Sequence, residues 1–130
     1  MSTKTLQATS LVPTMTVNDL KGSIRFYEGL GFAVGDKYED DGKLMGVMMN
    51  AGGSVIGLSQ DDFAKGKDRI KGVGMRLYLE TGQDIEELAE RAKSAGIKMD
   101  QGPGPLPWGQ MGITVTDPDG FKMTISNPAE

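Results

Sequence analysis

The sequence predicts an α+β fold of two tandem βαβββ modules, whose strands form a curved mixed sheet with a cleft. One observation is a repeat: Asp19 and Gly31 in the first half correspond to Asp84 and Gly96 in the second, each displaced by 65 residues. The other is a set of short segments in which apolar and polar residues alternate, which is typical of strands with one buried face. Because the repeat falls on positions that begin and end helices, it indicates two related structural units.

The first module is predicted at residues 10–60. Asn18 or Asp19 is expected to cap its helix, because side-chain oxygens of these residues accept from the free N–H groups of a first helical turn. Gly31 suits the left-handed residue that ends a helix. Strands are predicted on either side of the helix, separated by turns rich in Asp, Asn and Gly, at 11–17, 32–38, 43–50 and 53–60.

The second module is predicted at residues 73–127, after a polar linker at 61–72. Asp84 is expected to cap its helix, and Gly96 follows the last turn. The sequence DPDG predicts a tight turn before the final strand. The strands of this module are predicted at 73–80, 97–101, 109–116 and 121–126.

The composition excludes several classes of partner. The net charge is -4, and no face is rich in Lys and Arg, so nucleic acid is not expected. No stretch approaches the roughly 18 apolar residues that span a bilayer, and the start MSTKTLQATS lacks the apolar region of a signal peptide. Together with the absence of cysteine, these features predict a soluble cytoplasmic protein without a membrane partner.

The absence of histidine and cysteine restricts the chemistry further. Without either residue the chain has no thiolate nucleophile, no Ser–His pair and none of the usual zinc or iron ligands apart from carboxylates. The acidic stretches EDDG and DPDG lack the alternating ligands of a calcium loop. The sequence therefore predicts no metal site and no cofactor.

Two longer motifs carry a family resemblance. TVNDLKGSIRFYEGLGF opens the first module and PWGQMGITVTDPDGFKMTISN closes the second, and both resemble the vicinal oxygen chelate superfamily of glyoxalases, bleomycin-resistance proteins and extradiol dioxygenases. In metal-dependent members the resemblance places ligands on the first and last strands of each module, at Val12, Gly57, Arg76 or Leu77, and Thr124. None of these side chains supplies the imidazole or carboxylate that those enzymes use, so metal-dependent glyoxalase or dioxygenase activity is not expected.

The missing ligands make the chain most similar to the bleomycin-resistance branch. That resemblance implies a homodimer that holds a planar or cationic small molecule in grooves between subunits, with antibiotic sequestration as a role. It also implies that Trp108, the only tryptophan, stacks on the ligand. A structural plug and a dimer contact are the other roles open to Trp108.

Strand alternation selects the remaining candidate ligand-binding residues. Thr14 and Ser59 are expected opposite the core face in the first module, and Arg76, Tyr78 and Thr124 in the second. The simpler interpretations stay open: a solvated sheet face for the hydroxyls, and a surface ion pair for Arg76. Core packing is likewise the simpler interpretation for Met45, Met48 and Met49, and solvated loops for the acidic groups Glu39, Asp40, Asp41, Asp61 and Asp62.

Two further functions remain as alternatives to a metal-free binding protein. The first is a metal-independent lyase or isomerase acting on a small oxo-compound. In it a buried carboxylate such as Glu80 or Glu39 removes a proton, and Arg76 stabilises the resulting enolate. The second is a catalytically silent partner subunit, which would expose a large apolar patch. The family resemblance and the missing metal ligands together favour binding over catalysis.

Overall fold

Each half of the chain folds as a strand, a helix and three further strands in a computed structural model, which describes residues 5–129. This arrangement confirms the predicted fold class. The first module contains β1 (Thr14–Val17), α1 (Leu20–Leu30), β2 (Ala33–Asp40), β3 (Lys43–Ala51) and β4 (Ser54–Gln60). The second contains β5 (Arg76–Glu80), α2 (Ile85–Ser94), β6 (Gln101–Pro105), β7 (Met111–Thr116) and β8 (Lys122–Ser126).

The first four residues lie outside the described range, so the structure does not bear on that part of the start in which no signal peptide is predicted. Among the described helices, α1 with 11 residues is the longest. Neither is long and apolar enough to cross a membrane.

The strands form two separate four-stranded mixed sheets. Sheet A has the order β1-β4-β3-β2 and sheet B the order β5-β8-β7-β6. In each sheet the first and last strands of the module pair in parallel, with Thr14 opposite Gly57 in sheet A and Tyr78 opposite Thr124 in sheet B. The other pairs are antiparallel. The first strand of each module is therefore a sheet edge.

One face of each sheet packs into a hydrophobic core that both modules share. Met15, Leu58, Ile113 and Met123 are buried there, together with the inner faces of α1 and α2. The two helices also contact each other. The opposite faces of the sheets carry the alternate side chains, and they are called the open faces below.

The two helices begin in different ways. Asp84 caps α2 as predicted, because its Oδ1 accepts from the backbone N–H of Glu86 at 3.0 Å. The side-chain cap predicted for α1 is wrong: Asp19 stands at the cap position without a capping hydrogen bond. Instead, Oε1 of Gln60 accepts from the Leu20 N–H at 2.9 Å. A residue 40 positions away thus supplies the cap.

The strand predicted at 97–101 is also wrong in position, since β6 runs from Gln101 to Pro105. Ile97 is buried in the core directly after α2, without being paired in a strand. Pairing with β7 starts around Asp100, whose N–H donates to the carbonyl of Thr114 at 2.7 Å. The sequence QGPGP does not predict a strand, because glycine and proline are depleted in strands.

The linker between the modules is anchored by a buried ion pair. Asp61 is buried, and its Oδ2 lies 2.9 Å from Nζ of Lys71 and 3.4 Å from the guanidinium of Arg69. Nζ of Lys71 also donates to Oδ1 of Asn18 at 2.6 Å. The expectation that Asp61 belongs to a solvated acidic loop is therefore wrong, whereas Glu39, Asp40, Asp41 and Asp62 are exposed.

Candidate functional site

Strand β5 places three different side chains on the open face of sheet B. Leu77 and Leu79 pack toward the core, so Arg76, Tyr78 and Glu80 project from the other face. Alternate residues of a strand lie about 6.5 Å apart. A cation, an aromatic ring and a carboxylate therefore follow one another along an exposed sheet edge.

The loop between β6 and β7 covers part of this face. The ring of Trp108 meets the ring of Tyr78 edge to face, with centroids 6.0 Å apart and an interplanar angle of 64°. Because β8 separates β7 from β5, this contact requires the loop to cross over β8. Trp108 nevertheless remains 51% exposed and Tyr78 65% exposed. The two rings form an aromatic pair with free surface on the outside of the protein.

A buried hydroxyl lies in the same part of the sheet as the aromatic pair. Thr124 is opposite Tyr78 on one side and opposite Thr114 on the other. Its side chain is only 1% exposed, and its Oγ1 has no hydrogen-bond partner among residues 5–129. A buried hydroxyl without a partner carries a free-energy cost, so it is a suitable position for a polar group of a ligand.

The open face of sheet A carries a separate cavity of about 510 Å³. Thr14 and Ser59 contribute to its wall, together with Tyr38, Met45 and Met48. The third methionine of the group, Met49, is fully buried in the core. All residues that line this cavity belong to the first module.

The structure therefore divides the predicted ligand-binding residues into two groups. Arg76, Tyr78, Thr124 and Trp108 lie together on sheet B, whereas Thr14 and Ser59 lie on sheet A. Their binding role remains a prediction.

Sequence reasoning missed Lys122, the residue that pairs with Arg76 across β5 and β8. The alternation of FKMTIS contained the signal, because it places Lys122 on the same face as Thr124.

The positions that the family resemblance assigns to metal ligands do not fit a metal. Val12 and Gly57 offer no ligating atom, Leu77 packs toward the core, and Arg76 is cationic. Thr124 supplies only a neutral hydroxyl. Within the described part of the chain, no three Asp or Glu side chains cluster closely enough to hold a metal ion.

The carboxylates proposed for a metal-independent enzyme are also unfavourably placed. Glu80 and Glu39 are both exposed, so the burial expected of a catalytic base is not found at either. Glu80 and Arg76 are four residues apart on β5, which corresponds to about 13 Å. A base and an enolate-stabilising cation need to reach neighbouring atoms of one substrate.

Comparison with known proteins places these features in a family. The model of the Glyoxalase/Bleomycin resistance protein/Dioxygenase superfamily matches residues 9–125. No curated protein matches the chain.

Solved structures with a similar fold include a hypothetical protein from S. aureus, at 21% identity and a TM-score of 0.71, covering 94% of this chain and 95% of that one. A virulence protein from Salmonella typhimurium is 26% identical, with a TM-score of 0.67 and coverage of 95% and 100%. A bleomycin-binding protein complexed with bleomycin is 20% identical, with a TM-score of 0.64 and coverage of 94% and 100%.

Proposed function

We propose that this chain, which belongs to the glyoxalase/bleomycin resistance protein/dioxygenase superfamily, is a metal-free binding protein for a small planar molecule. The observation that carries the proposal is the aromatic pair of Tyr78 and Trp108 beside the buried, unpaired hydroxyl of Thr124. Flat apolar surface with a few fixed polar groups is what small-molecule sites usually offer.

Each part of this arrangement has a role in binding. The exposed indole of Trp108 supplies a rigid surface for stacking and one N–H donor. Thr124 both donates and accepts, so a polar atom of the ligand satisfies its hydroxyl once the aromatic pair moves aside or the ligand enters beneath it. Burying the two half-exposed rings against a ligand contributes hydrophobic free energy of about 25 cal/mol per Å² of apolar surface.

We further propose that the binding unit is a homodimer. Each sheet has one face in the core and one open face, and β1 and β5 are edges with one unpaired side. A twofold dimer that sets sheet A of one protomer against sheet B of its partner would bring Thr14 and Ser59 toward Tyr78 and Trp108. In such a twofold dimer each protomer contributes the same surface to the interface.

The role that we propose is sequestration, with an antibiotic as one class of cargo. The solved bleomycin-binding protein complexed with bleomycin, whose fold is similar, is a precedent for the binding of such a molecule. Catalysis is less well supported, because Glu80 and Glu39 are exposed and Glu80 lies far along β5 from Arg76.

Fluorescence titration tests the proposal directly, since Trp108 is the only tryptophan. A panel of planar antibiotics and simple aromatic compounds is added to the native protein, and binding is confirmed by calorimetry. We expect saturable quenching by at least one compound. Calorimetry, which does not depend on the tryptophan, should show weaker binding in Trp108→Ala and recovered binding in Trp108→Phe, which keeps an aromatic surface. Binding that is tight but unchanged in Trp108→Ala would contradict the proposed stacking surface.

Native mass spectrometry tests the dimer separately. The expected species is a metal-free dimer at micromolar concentration. A stoichiometric transition metal in the purified protein would contradict a metal-free site, and a monomer that still binds ligand would contradict the need for a second protomer.

A further inference from the structure

Two cations lie side by side on the open face of sheet B, next to the aromatic pair. Arg76 on β5 is the register partner of Lys122 on β8. Both alternate with core residues, Leu77 and Met123, so both side chains leave the sheet on the same side. Neighbouring like charges on a sheet destabilise it unless an opposite charge lies between them.

Within the described part of the chain, neither Arg76 nor Lys122 forms an ion pair. Nζ of Lys122 donates to the neutral hydroxyl of Thr116 at 3.0 Å, and that hydroxyl donates in turn to Asp100. The guanidinium of Arg76 has no described acceptor.

The groove beside these two cations also carries an excess of positive charge. Arg76 and Lys122 line a cavity of about 560 Å³ at the start of β5 and β8. Its one carboxylate, Asp119, is already engaged: Oδ1 accepts from the Asn18 N–H at 2.9 Å and Oδ2 from the Ser23 hydroxyl at 3.5 Å. The groove therefore presents more positive than negative charge in a chain whose net charge is -4.

Apolar side chains form the rest of the wall. Ile70, Val73 and Met75 line the groove, and all three are exposed to solvent. This apolar surface is available to be buried against the apolar part of a ligand, which is favourable. The combination of paired cations and apolar wall suits an anionic group attached to an apolar body.

We infer that the ligand is an aromatic anion whose charged group is held between Arg76 and Lys122 while its ring lies against Tyr78 and Trp108. The inference rests on the proposed function and makes it more specific. Arg76 and Tyr78 are alternate residues of β5, about 6.5 Å apart along the strand, so an aromatic ring against Tyr78 can carry its carboxylate or sulfonate toward Arg76. The family resemblance implies a planar or cationic ligand, and the inference keeps the planar ring and replaces the positive charge with a negative one.

Matched probes test the charge requirement. 2-Naphthoate and its neutral isostere 2-naphthamide share one ring system, so a difference between them reports the anionic group alone. We expect 2-naphthoate to quench Trp108 with an affinity at least about tenfold higher than that of the amide, a preference that declines as salt is added.

Substitutions locate the charge effect. Arg76→Met and Lys122→Met keep the apolar stems and should each reduce the affinity for 2-naphthoate toward that of 2-naphthamide, without changing the affinity for the amide. Lys93→Met is the matched control, because Lys93 is exposed on the last turn of α2 and lines none of the cavities described here. Thermal unfolding of each variant verifies that the fold is retained.

A second measurement separates this inference from the proposed function. Sulfate is titrated while the side-chain Nε–Hε signal of Arg76 is followed by NMR, which does not depend on Trp108. A saturable shift that is lost in Lys122→Met supports the anion site even if no aromatic compound quenches Trp108. Absence of quenching would overturn the proposed function and the placement of the ring, and the anion site between Arg76 and Lys122 would stand.

Other outcomes would overturn the inference itself. Equal quenching by 2-naphthoate and 2-naphthamide would remove the anion requirement and leave the proposed function standing. Absence of a sulfate effect on Arg76 would also contradict the site. If Arg76→Met instead reduces the dimer fraction in native mass spectrometry, the groove is a contact with a second copy of the chain and the inference is wrong.

Discussion

The hydroxyl of Tyr27 donates a hydrogen bond of 2.8 Å to Oδ2 of Asp117 in the interior, and this bond joins the two modules. Tyr27 lies on α1, and Asp117 begins the DPDG turn between β7 and β8. Oδ1 of Asp117 accepts from the backbone N–H groups of Asp119 and Phe121 at 2.9 and 2.8 Å. A single carboxylate thus holds its own turn and attaches it to the helix of the other module.

Replacing Asp117 with Asn should flatten the pH dependence of stability. Burial raises the pKa of Asp117 above its ordinary value of 3.8, against the opposing effect of its hydrogen bonds. The folded state therefore binds this proton more tightly than the unfolded state, and stability is lost as pH rises from about 4 through the raised pKa. Asp117→Asn keeps the shape without titrating. Urea unfolding across this pH range should show the variant gaining stability relative to the native protein as pH rises.

Tyr27→Phe is the companion variant for this carboxylate. The Tyr27 hydroxyl lowers the pKa of Asp117, so its removal should extend the titration to higher pH. Loss of a donor to a buried acceptor should also cost about 1–3 kcal/mol in the free energy of unfolding. An unchanged pH profile in both variants would show that Asp117 does not titrate differently in the folded state.

Lys71→Met should destabilise the protein at neutral pH and have a smaller effect in acid. The hydrogen bond from Lys71 holds the pKa of Asp61 below its usual 3.8. The contribution of Asp61 is therefore present above that value and is lost as pH falls through the lowered pKa. The side chain of Lys71 is only 3% exposed, whereas Lys67 in the same linker is exposed and serves as the control. A constant difference between Lys71→Met and the native protein at all pH values would contradict this assignment.

The architecture was largely predictable from the sequence because its signals are local. Helix periodicity, the Asp84 cap and the Gly31 terminus all act within a few residues, and the repeat related the two halves. The failures have nonlocal causes. Gln60 caps α1 from another strand, and Asp61 is buried by Lys71, ten residues further along. A short stretch of sequence around the start of α1 does not contain Gln60, and one around Asp61 does not indicate Lys71 as its partner.

The candidate site was predictable only in part for the same reason. Alternation correctly placed Arg76, Tyr78 and Thr124 on one face of sheet B, since a strand fixes the direction of every second side chain. It gave no information about the loop that brings Trp108 across β8 to Tyr78. It also did not predict that Thr124, for which a solvated sheet face was the simpler interpretation, is buried.

Gly72→Ala should be strongly destabilising, because the linker passes directly over the DPDG turn at this position. An added Cβ would lie 2.0 Å from the carbonyl carbon of Gly120 and 2.3 Å from the nitrogen of Phe121. Backbone atoms cannot rotate aside, so we expect a loss of about 1–3 kcal/mol or more in the free energy of unfolding. Gly82→Ala is the control, since its Cβ would meet nothing within 4 Å. Equal stability of the two variants would show that the linker can move away from the turn.

Thr124→Val should raise stability and weaken binding, two effects that a purely structural threonine would not combine. Its hydroxyl is buried without a partner within residues 5–129, and valine has nearly the same shape. Removing an unsatisfied buried hydroxyl should stabilise the fold by about 1 kcal/mol. If the hydroxyl serves a ligand, the same change should lower the affinity for 2-naphthoate measured through Trp108.

Thr114→Val provides the matched comparison for Thr124→Val, because Thr114 is the neighbouring buried threonine in the same cross-strand row. Its hydroxyl is not among the buried groups that lack a partner. Unfolding and titration of both variants therefore separate the effect of a methyl-for-hydroxyl exchange from the effect of the site. Lower stability in Thr124→Val would mean that its hydroxyl is hydrogen-bonded in solution, and unchanged affinity would remove it from the ligand site.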